Sequence, residues 1–154
     1  MWAVKVPGRP RPKGSWKCVG RNGHHRLVEQ RPSGPWRRQV TAAGRLIAAQ
    51  AGGPLDGPIS VRVAFTVPLP RSISPARRLW PALAARTGDI DKHARSVLDS
   101  LTEAGVWHDD GQVVELTCSK HYPHSPGIDV LSEPGAVIRI WRTTDIYTEE
   151  ETAS

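Results

Sequence analysis

Asp89-Ile90-Asp91 and Asp109-Asp110 are two acidic pairs separated by one amphipathic stretch. Carboxylates gathered in one place repel one another, so a fold that collects them needs a cation between them. A hard divalent ion such as Mg²⁺ meets that need, because it takes oxygen ligands and keeps positions open for water and phosphate. Mn²⁺, which also accepts oxygen ligands, is the expected substitute. Side chains two apart in an extended segment share a face, which lets Asp89 and Asp91 reach one ion. They also stand where a helix begins, and the helix dipole favours negative charge there by roughly 0.3–1 kcal/mol per group. Arg95 lies four residues beyond Asp91, one turn along the same helical face. The chemistry such a set supports is metal-assisted phosphodiester hydrolysis. Asp89 and Asp91 would hold the metal and Arg95 would offset charge on the phosphate oxygens; spacing alone does not establish that the next strand brings Asp110 back to join them. Each pair has a plainer reading: Asp89 or Asp91 can cap a helix, and Asp109-Asp110-Gly111 can be a turn. The two pairs together favour the chemical one.

The charge surrounding the acids points the same way. Residues 1–45 hold eleven Lys/Arg against the single acid Glu29, whereas residues 46–154 hold ten against fourteen acids, within a formal net charge of +6. That asymmetry suits a polyanion-binding N-terminal half beside an acidic catalytic half. Arg9, Arg11, Lys13, Lys17, Arg37 and Arg38 are the candidate contacts to a nucleic-acid backbone, which give affinity without reading sequence. Taken singly, each reads more simply as a solvated surface charge. Trp16 and Trp36 have rings that can stack on exposed bases, although Trp36 falls on an apolar stripe that suits a core.

The 154 residues amount to one domain, residues 1–142, with an acidic tail at 143–154 expected to be disordered. Only Cys18 and Cys118 are present, with no signal peptide and no long apolar run, so the expectation is a soluble cytoplasmic protein of a bacterial cell, without membrane or small-molecule cofactor. Trp2–Val6 alternates as a first strand, and Arg9–Gly14 is a basic, proline-rich loop. Residues 15–33, polar and basic, read as a long loop. Trp36, Val40, Ala43, Ile47 and Ala51 recur at helical steps, with a start at Ser33-Gly34-Pro35 and a stop at Gly52-Gly53. After Pro58, Ile59, Val61, Val63, Phe65 and Val67 alternate as a strand. Pro68–Thr87 reads as a loop with a helical turn near Pro75–Arg78. A second helix from about Asp91 to Ala104 carries Ile90, Ala94, Val97, Leu98 and Leu101 as its apolar stripe, stopped by Gly105. Gln112–Tyr122 is a strand with Val114, Leu116 and Cys118 on one face, and Ala136–Trp141 is the last strand. The expected fold is therefore α+β, a mixed sheet of about four strands with two main helices packed on it, in the order β-α-β-α-β-β.

Gly88–Leu101 followed by Val106–Val114 resembles the core motif of RusA-type Holliday junction resolvases, in which Asp-x-Asp-Asn, a basic residue one turn later, Asp-Ala-Leu and Asp-Asp-x-Gln precede a strand ending in Lys. Gly8–Gly14 is similar to the family's N-terminal basic stretch, and Pro54–Pro58 to the entry of its second strand; the likeness spans most of residues 1–122. The resemblance implies that Asp89, Asp91 and Asp110 are the metal-binding aspartates, that Arg95 stands where many relatives have lysine, and that Lys120 is the basic residue ending the following strand. Lys92 replaces the usual Asn; it and Lys120 join the candidate nucleic-acid contacts, and Asp99, Asp109 and Gln112 are supporting residues. Arginine keeps its proton, so Arg95 suits charge stabilisation rather than general acid–base work. The resemblance further implies a Mg²⁺-dependent homodimer that nicks two like-polarity strands of a four-way DNA junction.

Two alternatives have their own residues. Cys18 with His24-His25, and Cys118 with His121 and His124, could form a Zn²⁺ site in a non-catalytic nucleic-acid-binding module, although these spacings match no standard finger. A general Mg²⁺ nuclease would use the same aspartates without selecting a junction.

Overall fold

The structure, a computed structural model of the chain, describes residues 1–14, 16–29, 34–78 and 87–144, with the side chains of Trp16, Lys17 and Glu29 outside that set. The expected acidic tail from residue 145 onward also lies outside the described residues.

The alternating stretches form the expected sheet. Strands β1 (Trp2–Pro7), β4 (Ile59–Thr66), β5 (Val113–His121) and β6 (Gly135–Arg142) assemble in the order β1-β6-β4-β5. Only the β4/β5 pair is parallel, and a parallel neighbour needs a long crossover. That crossover carries the helix α2 (Ile90–Glu103). β4 is central and buried at every position but Arg62. Its Val61, Val63 and Phe65 form one row beneath the helices. On the other face Ser60 hydrogen-bonds Thr143 at 3.0 Å, and Thr66 accepts from the Leu131 N–H at 2.9 Å, so the buried hydroxyls are satisfied. The 123–134 connection is held to β6 by the two-pronged Arg139–Asp129 pair, at 2.6 and 2.7 Å.

Helix α1 (Gly34–Ala51) buries Trp36, Val40, Ala43 and Ile47 and ends where Gly52 turns left-handed, as the spacing predicts. Trp36 is therefore core. Gly44 brings α1 close to α2: a Cβ there would lie 2.7 Å from that of Ala104 and 3.1 Å from Leu101. The single turn expected near Pro75 is present at Pro75–Arg77; residues 79–86 lie outside the description.

Three local expectations are corrected. The supposed loop at 15–33 contains a hairpin, β2 (Trp16–Arg21) paired with β3 (His24–Glu29), turned by Asn22-Gly23 with φ of 54° and 80°. Asn-Gly is the strongest short-range hairpin signal, but it is flanked here by polar rather than alternating apolar strands. On α2 the buried face is His93, Ala94, Val97 and Leu101 with Ser96 and Ser100, and Ile90 is 39 % exposed. The serines fit because Ser100 donates to the Ser96 carbonyl at 2.8 Å. On β5, Val114 and Leu116 are 60 % and 42 % exposed rather than core. β5 is an edge strand, and α2 covers only its C-terminal half. No helix among the described residues is long and apolar enough to cross a membrane.

Candidate active site

The acidic turn is built on Gly88, whose φ of +86° excludes ordinary side chains. A Cβ there would also stand 2.7 Å from Pro12 and 3.1 Å from His93 Nε2. Asp89 follows in extended conformation as the N-cap of α2, and Asp91 lies in the first helical turn. The two carboxylates thus flank a helix end rather than alternate along a strand. Asp89 makes no side-chain cap hydrogen bond, although its position is ideal for one. Its carboxylate stays half exposed with Lys92 Nζ at 3.4 Å. Asp91 and Arg95 are exposed, without a partner among the described residues.

Buried groups hold this turn from behind. Lys120, 9 % exposed at the end of β5, donates to the Gly88 carbonyl at 2.7 Å. Burial lowers its pKa and nearby Asp89 opposes that shift. His93 is fully buried, packed against Phe65 with ring centroids 5.1 Å apart, and its Nε2 lies 2.5 Å from the Thr87 carbonyl. An acceptor at that distance places the proton on Nε2. Burial lowers the His93 pKa, with the Thr87 hydrogen bond opposing, which favours the neutral ring. The basic loop straps the front of the helix. Lys13 N–H donates to the Lys92 carbonyl at 3.0 Å, and Lys13 Nζ reaches Asp99 at 2.6 Å.

The second acidic pair divides into two roles. Asp109 caps a single turn, Asp110–Gln112, by accepting from Gly111 N–H at 2.7 Å. The Gln112 amide accepts from the N–H groups of His108 and Asp109 and donates to the carbonyls of Leu55 and Gly57. That clamp fixes the start of β5 against the entry to β4. Asp110 is left exposed beside it.

Asp110 does not join Asp89 and Asp91 within one chain, the closure that spacing left open. α2 runs antiparallel to β5: Lys120 at the end of β5 meets Gly88, whereas Val106, past the end of α2, meets Leu55 near the start of β5. The acids therefore sit at opposite ends of a fourteen-residue helix, about 20 Å apart at 1.5 Å per residue. Among the described residues no group of three His, Cys, Asp or Glu is placed to hold a metal.

Several expected nucleic-acid contacts also have partners within the chain. Lys120 is buried and braces the Gly88 carbonyl. Lys13 is tied to Asp99, Arg37 pairs with Glu103 at 3.2 Å, and Lys92 pairs with Asp89. Arg9 and Arg11 line a narrow cleft with Pro12, Thr87 and Gly88, directly beside the acidic turn. Arg38 is exposed on the outer face of α1, and the Lys17 side chain lies outside the description. Cys18 and Cys118 are both free thiols, and burial pushes Cys118 up to about 11. Among the described residues no Cys/His group is placed to hold a metal, which weighs against the zinc alternative.

A family profile described as endodeoxyribonuclease RusA matches residues 7–131, from the end of β1 to the loop before β6. The chain belongs to the RusA family. It is therefore an endodeoxyribonuclease of the Holliday junction resolvase class. The chain is also 29 % identical over 137 residues to a Bacillus subtilis (strain 168) protein named "Uncharacterized protein YqaN", covering 82 % of this chain and 91 % of that one. The residues matched by the family profile, 7–131, include both acidic pairs, the Arg9–Gly14 strap and Lys120.

Sequence reasoning missed His93 as a member of this RusA-type site. Its signal was its spacing: His93 stands four before Val97 and eight before Leu101, on the buried face. The two outward carboxylates at the head of α2 fit a hard cation, which is commonly bound through one or two carboxylates with water and phosphate completing the shell.

Proposed function

We propose that this RusA-family chain works as a homodimer that places paired, symmetric nicks in four-way DNA junctions with Mg²⁺, each active site being assembled from two copies. One observation carries the proposal: Asp89 and Asp91 lie at one end of α2 and β5, and Asp110 lies at the other. A two-fold axis across the middle of those elements exchanges their ends. Asp110 of a second copy would then approach Asp89 and Asp91 of the first, and the reverse. β5 is suited to that contact, because it is a nine-residue edge strand with exposed Val114 and Leu116. Long apolar edges are what partner strands pair with.

Asp89, Asp91 and the second copy's Asp110 would hold Mg²⁺, which supplies an activated water and polarises the scissile phosphate. Arg95, one turn along α2, faces the same side and stabilises charge on the phosphate oxygens. Lys92 holds Asp89 in position. Lys120 and His93 keep the Thr87-Gly88 backbone fixed, so the carboxylates need little reorganisation. Two such sites related by a two-fold axis match a junction of the same symmetry, which favours junction resolution over general nuclease activity.

The test is a strand-mapped digestion of a mobile four-way junction and a linear duplex, with and without Mg²⁺. Paired nicks on like-polarity strands, confined to the junction and requiring the metal, are expected. Equal cutting of the linear duplex would favour the general nuclease.

A further inference from the structure

The β2–β3 hairpin takes no part in the site just described, yet the sequence loads it with charge. A two-stranded ribbon has no interior and is marginally stable alone. Every described side chain of it is exposed apart from the half-buried Val19, including Leu27 at 67 %. The register sorts the side chains onto two faces. Val19, Arg21, His24, Arg26 and Val28 share one, and Cys18, His25 and Leu27 share the other. No acid occurs before Glu29, so nothing on the ribbon's free length neutralises the arginines.

That chemistry selects the occupant. A second copy of the hairpin would bring like charges together, and an apolar peptide would leave guanidinium groups unpaired. A duplex answers both, because phosphates pair with arginine and the major groove, about 12 Å wide, admits a two-stranded ribbon. The position fits as well. Lys13 is anchored on α2 through Lys92 and Asp99, and β2 starts three residues later, so its root lies within about 10 Å of that anchor.

We infer that the hairpin Trp16–Glu29 is a DNA-docking ribbon, which uses Arg21, His24 and Arg26 to grip a duplex arm next to the cut. The inference rests on the reading of this chain as a DNA-cutting enzyme and goes beyond its catalytic site.

Binding to a four-way junction and to a linear duplex is measured without divalent metal across a salt series, for the wild type, the triple variant Arg21→Ala/His24→Ala/Arg26→Ala, and the exposed-loop control Arg71→Ala. The triple variant is expected to bind both DNAs at least about tenfold more weakly, with a salt slope shallower by about 2, as loss of two phosphate contacts requires. The control should match the wild type. Gly20→Val is the second variant: a Cβ there overlaps the backbone of His24 and His25, breaking the ribbon while keeping its charges. It should also weaken binding. Native affinity and slope in the triple variant would overturn the inference. So would native affinity in Gly20→Val, which would reduce the segment to a diffuse charged patch, or a loss of self-association in place of DNA binding. Wild-type protein that binds DNA but cuts no junction would sink the proposed function and leave this binding test intact.

Discussion

Asp89 occupies an N-cap and declines to cap, and that is the most telling residue-scale fact in the molecule. An unused cap forgoes about 1 kcal/mol of helix stability, and the carboxylate is left pointing outward beside Asp91. Asp91→Asn should leave junction binding near the wild-type level and lower the nicking rate about 100-fold or more; equal nicking by both proteins would remove Asp91 from the mechanism. Lys120→Met should behave differently. It removes a charged hydrogen bond to the Gly88 carbonyl, a loss of about 1.5–3 kcal/mol, and should lower both thermal stability and nicking while DNA affinity is kept. His93 adds a pH dependence whose sign is fixed. Burial lowers its pKa from the ordinary 6.5, so the unfolded chain takes up the proton first. The stabilisation is complete above 6.5 and is lost as pH falls below it toward the lowered native value. His121, also lowered by burial, has the same sign. Melting His93→Gln and wild type between about pH 5 and 8 should show a flatter acid limb in the variant.

At the scale of elements, the packing of α1 on α2 sets where the acidic turn stands relative to the sheet. Gly44 is the contact that allows it, with Ala104, Leu101 and Val106 all within 3.3 Å of a hypothetical Cβ. Gly44→Val should therefore destabilise the fold by about 1–3 kcal/mol, read as a lower denaturant midpoint. The edge strand β5 shows the opposite economy, exposing Val114 and Leu116 where a monomer would place polar residues. Leu116→Lys should leave the monomer folded while shifting sedimentation toward the monomer and reducing nicking, since each site would lose its second copy's Asp110. A dimer that persists in that variant would move the interface elsewhere.

At the scale of the whole molecule, the separation of Asp110 from Asp89 and Asp91 makes a strong prediction about mixed dimers. Chains carrying Asp91→Asn and chains carrying Asp110→Asn should each be inactive alone. After subunit exchange, one site of the mixed dimer unites intact Asp89 and Asp91 with an intact Asp110. Single nicks should then appear, with few paired ones. Continued inactivity after verified exchange would mean that each chain supplies its own acids, against the geometry of α2 and β5.

The elements themselves were legible because they depend on local periodicity and end signals. Trp36 to Ile47 recur at helical steps, Ile59 to Val67 alternate, and Gly52 and Gly105 stop the two helices through left-handed backbone. The placement of Asp89 beside Asp91 was legible for the same reason, since two residues at one helix end need no distant contact to be neighbours. Tertiary structure decided what depends on direction. Whether Asp110 returns to Asp89 turns on α2 running against β5, which the pairing of β4 with β5 fixes and no spacing records. Lys120 became a brace, and Lys13 a strap, because carbonyl and carboxylate partners far along the chain arrive beside them only after folding.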